Sequence, residues 1–135
     1  FGSESRIERA ETQIAEVYII NGKPALARSG GVLFPTLVFG EVSSFLPRVV
    51  VDMGAVSHVC GGADVMAPGV VRVEGDFHEG NYLLVVDERH GKPLAVGVAL
   101  FDSQALRALK RGKVVRNVHH VGDRLWGLIR VFIEG

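Results

Sequence analysis

The chain is poor in the features that most often announce a function. It has one cysteine, Cys60, among 135 residues. One thiol excludes a disulfide framework and argues against a cysteine-based zinc site. Its longest apolar runs, such as Tyr82–Val86 and Leu94–Phe101, are too short or too interrupted to span a bilayer. No basic segment followed by an apolar one opens the chain, so no secretory leader is expected, and a cytoplasmic location is the natural reading. The sequence starts at Phe1 without a methionine, and we expect a fragment or processed form of a longer protein. No nucleophile elbow, phosphate-binding P-loop or dinucleotide fingerprint is present. The five histidines have no metal-binding spacing. His119 and His120 are adjacent, so on a strand one is packed and the other exposed. Ser57, His58 and Ser103 have no visible catalytic partners, and helix capping explains Asp52 better than acid chemistry. An enzyme is not expected, nor is any cofactor or metal.

Net charge is also absent: 15 Lys and Arg balance 15 Asp and Glu. The distribution is uneven. Between residues 74 and 88 there are five carboxylates and no Lys or Arg, whereas residues 103–124 carry Arg107, Lys110, Arg111, Lys113, Arg116 and Arg124 against Asp123 alone. A local basic face can hold phosphates when the total is neutral. It can equally be a solvated helix face balanced by an acidic loop. Hydrophobic residues make up 47% of the chain and mean hydropathy is +0.25, which points to a packed globular core.

The most informative passage is Val49–Val73. A short apolar run ends at Asp52, which can cap a helix whose apolar positions are Ala55, Val56, Val59 and Cys60. Gly61-Gly62 stops that helix, and Pro68-Gly69 makes a turn before an extended run from Val70 to Val73. Upstream, Ile7, Ala10 and Ile14 predict a helix or frayed lead-in over residues 1–16. Asn21-Gly22 predicts a hairpin between Glu16–Ile20 and Lys23–Arg28, with Pro24 placing the second strand at an edge or keeping it short. Pro35 predicts the start of a short helix running toward Phe45. Pro47 marks a boundary. Downstream, strands are expected at Asn81–Glu88 and Lys92–Phe101, both buried on two faces, and Gly97 suggests a bend or a close backbone approach. A helix capped by Asp102 is expected to end at Gly112, and the last strands at Val114–His120 and Arg124–Ile133.

The string VD-x-GA-x5-GGADVM-x-PGV within this passage resembles the start of the PUA domain. The resemblance extends upstream through Val17–Val32 and Phe34–Leu37, and downstream through NVHHVGDRLW at Asn117–Trp126. It is nearest to the translation-associated PUA proteins related to the malignant-T-cell-amplified sequence and ligatin. It implies a mainly β fold with short helices: a PUA-type pseudo-β-barrel over residues 48–135, preceded by part of a small α/β N-terminal domain over 1–47.

The resemblance further implies RNA binding in a groove beside the first helix. Carried over by position, it nominates His58, Gly61, Gly62, Ala63, Asp64, Met66, Pro68 and Gly69. Small side chains and loop amides would meet a sugar-phosphate backbone, although tight-turn geometry alone also accounts for the glycines. Met53 stands where relatives often carry a basic residue. Arg72 could compensate for it or simply face outward from a strand, and Arg116 joins the candidates from the basic segment. The implied partners are a tRNA acceptor end or ribosomal RNA, the small ribosomal subunit and a translation-factor partner, with no membrane. Two other readings stay open: the accessory RNA-binding domain of an RNA-modifying enzyme such as a pseudouridine synthase or archaeosine transglycosylase, and a protein-interaction module that docks through its apolar strands.

Overall fold

A computed structural model of the chain describes residues 46–127 throughout and, before them, the backbone of four strands. These are β1 (Ile7–Glu11), β2 (Glu16–Ile20), β3 (Lys23–Ser29) and β4 (Val32–Pro35). They pair in chain order as an antiparallel sheet. The expected hairpin is present, with Ile20 opposite Lys23. Pro24 sits at a register shift, beyond Leu26–Ser29 where β4 pairs, so no partner on that side loses a bond to the missing N–H.

Two expectations fail in this region. Ile7–Glu11 is a strand paired along its length with β2, not a helix. Three apolar residues at helical spacing are too few to stabilise an isolated helix, whereas a strand edge supplies backbone partners at once. Phe34 and Pro35 end β4 opposite Ala27 and Leu26 instead of opening a helix. The rest of that expected helix, 36–45, lies outside the described residues.

A second, six-stranded sheet follows. Its elements are β5 (Arg48–Val51), helix α1 (Met53–Cys60), β6 (Val65–Met66), β7 (Val70–Glu74), β8 (Tyr82–Asp87), β9 (Pro93–Ala99), helix α2 (Ser103–Ala108) and β10 (Lys113–His120). The strand order is β6-β10-β9-β8-β5-β7, with only β5 and β8 parallel. β6 and β7 therefore lie on opposite edges, yet a single three-residue 3-10 turn, Ala67–Gly69, joins them. Four residue steps span at most about 14 Å. The sheet must curl until its edges nearly meet, which makes it a pseudo-barrel.

Burial follows the two-residue period of the strands. Val49, Val51, Leu83 and Val85 face one core, and Val50, Leu84, Val86 and Val96 face another, all at 1% exposure or less. The expectation of strands buried on both faces holds for β8 and β9. It also removes them as a free docking surface for a partner protein.

β9 and β10 approach closely at Gly97. A Cβ there would overlap Val115 Cγ1 and stand 3.1 Å from the Arg116 carbonyl oxygen. Asp52 and Asp102 cap the two helices, each Oδ1 accepting the amide three residues on at 2.9 and 2.8 Å.

The ends of α2 and of the last expected strand differ from the sequence reading. α2 stops at Ala108, because Leu109 is already extended, and Gly112, at φ +87°, opens β10 instead. Residues 124–127 are helical, not the start of a strand. Asp123 acts as their cap, its Oδ1 accepting the Trp126 amide at 2.6 Å. Residues 128–133 of that expected strand lie outside the described residues. Among the described residues no helix is long and apolar enough to cross a membrane.

Gly97→Ala is expected to destabilise the fold by about 1–3 kcal/mol, because Val115 and the Arg116 carbonyl leave no room. Gly127, with nothing within 4 Å of a Cβ, should accept Ala with little change. Urea unfolding of the two variants measures the difference.

Candidate nucleic-acid interface

α1 and the segment from β6 to the 3-10 turn enclose a solvent-open groove of about 610 Å³. The chain reaches it through β5, whose last residues are pinned by core packing. Asp52 then turns the backbone into α1, and its amide donates to the Gly69 carbonyl at 2.9 Å. Gly69 allows this contact, since a Cβ there would stand 3.3 Å from Ala55 Cβ. Ala55, Val59, Val65, Met66 and Pro68 make apolar walls. Asp52, His58, Asp64 and Lys113 supply the charged and polar groups.

The Gly61–Asp64 loop behaves differently from the sequence expectation. The amides of Gly61, Gly62 and Ala63 donate to the carbonyls of Ser57, Val59 and His58, each at 3.0 Å. They complete the C-terminus of α1 and are not offered to a ligand. Gly62 has φ +94°, and a Cβ on it would lie 3.1 Å from His120 Nε2. Both facts favour glycine there for structural reasons.

Asn117 of β10 lies under this loop. Its Nδ2 donates to the carbonyls of Val59 and Ala63 at 3.1 and 3.0 Å, and its amide donates to Asp64 Oδ1 at 2.8 Å. Asp64 Oδ2 meets Lys113 Nζ at 2.8 Å. The Lys113 hydrogen bond is the main reason the Asp64 pKa lies below the ordinary carboxylate value; partial burial opposes it, and the Asn117 amide and the charges of Lys113 and Arg116 reinforce it.

Six of the ten nominated residues line the groove: His58, Ala63, Asp64, Met66, Pro68 and Gly69. Gly61 and Gly62 sit behind it at the helix end. Arg72 is on exposed β7, off the groove wall and paired with Glu74 at 3.1 Å. Arg116 is exposed on β10, near enough to Asp64 to act on its charge.

The basic segment does not form one face. Arg107 donates to the carbonyls of Val73 and Gly75 and pairs with Asp76, along the edge strand β7. Lys113 is the cation that reaches the groove. Sequence reading named Lys113 only within the segment and took Asp52 as a cap alone, and it missed Gly54 and Ala55. The short strand β6, which brings Lys113 alongside Met66, was the absent signal. His119 is fully buried with Nδ1 2.9 Å from Asp123 Oδ2, and half-buried His120 packs by Gly62. Among the described residues no three His, Cys, Asp or Glu side chains converge to hold a metal.

A curled six-stranded pseudo-barrel, closed by a capped helix with an open groove along it, defines a small barrel domain. The PUA domain family matches residues 47–121, more than half of the chain, and the chain belongs to that family. An uncharacterised protein of Methanocaldococcus jannaschii is 36% identical to it over 91% of this chain and 76% of its own length. Translation machinery-associated protein 20 of Schizosaccharomyces pombe is 29% identical over 84% of this chain and 66% of its own length. The crystal structure of a PUA domain from Aeropyrum pernix superimposes with a TM-score of 0.83 at 36% identity, covering 96% of this chain and 77% of that one. The resemblance read from the sequence is borne out.

Asn117→Ala should destabilise the domain by about 1–3 kcal/mol, because the Ala63 carbonyl loses the carboxamide donor and the Val59 carbonyl keeps only the Gly62 amide. Acid should act through Asp64. A carboxylate whose folded pKa is depressed stabilises the fold above its unfolded value of about 4, and that contribution disappears as pH falls through the folded value. Asp64→Asn should therefore be less stable at neutral pH and lose less on acidification, as thermal melts across the acid range would show.

Proposed function

We propose that this chain is a non-catalytic RNA-binding protein of the translation apparatus, holding a single-stranded or helix-end RNA in the groove along α1. The supporting observation is the joining of an apolar groove to cations on β10: Lys113 at its wall and Arg116 beside Asp64. Apolar walls accept unstacked bases and the cations take phosphates. With the loop amides consumed, side-chain charge has to supply the phosphate contacts. Under this reading residues 48–135 are the PUA domain and 1–47 part of a separate N-terminal domain. The RNA is a tRNA acceptor end or ribosomal RNA at the small ribosomal subunit, met in the cytoplasm alongside a translation-factor partner.

The extent of similarity favours translation over service in an RNA-modifying enzyme. The match to translation machinery-associated protein 20 runs over 119 residues, well beyond the PUA region.

The direct test is a salt titration against a fluorescent tRNA acceptor-end mimic. Affinity should fall steeply with salt. Lys113→Ala and Arg116→Ala should each weaken binding and flatten the log–log slope by about 0.7 per lost contact on a single strand. Salt-independent binding, or slopes unmoved by both variants, would contradict the proposal. Gly62→Glu is a poor probe, because at φ +94° any side chain strains the loop whether or not RNA is present.

A further inference from the structure

Among the described residues the large apolar side chains most exposed to solvent are Met66, Val71 and Phe101, at 48%, 46% and 38%. Two of them flank one cation. Met66 is opposite Lys113 where β6 pairs with β10. On the other side of β10, Ala99 is opposite Val115, and the Leu100 amide donates to the Val114 carbonyl at 3.0 Å. That bond carries the ladder one residue past β9, so Phe101 follows beside Lys113. Met66 and Phe101 are thus two strand spacings apart, about 10 Å, with Lys113 between them. The loop leading into Lys113 carries Lys110 and Arg111, both exposed. Among the described residues neither side chain has an ion pair or hydrogen bond. The carboxylates nearby are engaged: Asp64 with Lys113, and Asp102 with the Ala105 amide it caps. A single exposed apolar residue needs no explanation, but here two share one basic patch outside the groove.

Resting on the RNA-binding reading, we infer that this patch is a second RNA contact: Phe101 stacks a base of the strand where it leaves the groove past Lys113, and Lys110 and Arg111 hold its phosphates. Every base has a π-face, so stacking on Phe101 tolerates any sequence, while the two cations add a salt-dependent hold on the backbone. A duplex keeps its bases stacked inside and offers Phe101 nothing, so the strand is single at this point. Charge decides between a nucleic acid and a protein segment as the occupant. Lys110 and Arg111 present positive charge that no carboxylate among the described residues offsets, which complements a phosphate chain.

Two fluorescein-labelled probes separate stacking from charge: hexaadenylate, and a ribose-phosphate hexamer that carries no bases. Both are titrated with the full chain at one fixed salt concentration. Phe101→Ala should weaken hexaadenylate about tenfold and leave the base-free hexamer unmoved. Phe101→Trp should bind hexaadenylate at least as well as the wild type. The double variant Lys110→Ala, Arg111→Ala should weaken both hexamers. All three side chains are exposed, so the melting temperature should hold in each variant. Hexaadenylate affinity unmoved by Phe101→Ala overturns the inference, leaves the exposed pair to a partner protein, and lets the RNA-binding reading stand. Equal losses for the two hexamers in Phe101→Ala, or a loss that Phe101→Trp does not restore, also overturn it, since stacking is then not what Phe101 supplies. Failure of the wild type to bind hexaadenylate at all overturns both readings together.

Discussion

The carboxamide of Asn117 donates to the carbonyls of Val59 and Ala63, and the backbone beside it donates to Asp64. These three bonds tie the end of α1 and the following loop to β10, residues more than 50 positions apart in sequence. They supplement the loop's own bonds to α1, a helix that presents only Val59 fully to the core. With them, Asp64 is fixed where it orients Lys113, β6 pairs beside β10, and the groove acquires its far wall. A helix terminus has carbonyls with no partner inside the helix. Here a side chain from the neighbouring strand gives one of them, the Val59 carbonyl, a second donor beside the Gly62 amide and anchors the groove in the same contact.

That arrangement shapes the electrostatics of a chain with no net charge. The glycine loop is neutral and its amides are turned inward, so it contributes form and not charge. The helix directs its negative C-terminal end toward this loop, which is the wrong polarity for a phosphate. Lys113 and Arg116 compensate from β10, and Asp64 holds Lys113 in one place. Arg107, the residue that made the basic segment look continuous, serves the exposed carbonyls of the sheet edge instead. Pairing at a sheet edge is a common protection against association with other chains.

The capped helix, the strands around it and the double-sided burial of β8 and β9 were legible because each depends on local signals: Asp52 and Asp102 as caps, Gly62 as a stop, and apolar runs of strand length. Gly97 could be recognised as a close approach, although not what it approaches. The errors have physical causes as well. Ile7–Glu11 has weak helical spacing that strand pairing overrides. Asp123 looks like a turn residue yet caps a helical turn through Trp126. β6 has two residues and no pattern, so the juxtaposition of Lys113 with Met66 could not be read, and with it went half of the groove's chemistry. A loop rich in glycine looks like a donor of amides until the helix end that uses them is seen.

The central claim is that the groove along α1, anchored by Asn117, is where RNA binds. Backbone amide shifts of the isotope-labelled chain, followed by NMR as a single-stranded acceptor-end RNA is added, test it most directly. The account predicts shifts concentrated at Gly54, Ala55, His58, Met66 and Lys113, with a separate polar hollow lined by Asp76, His78, Asn81, Asp102 and Ser103 unmoved. Shifts centred on that hollow or on the outer edge of β7, with the groove residues silent, would contradict it.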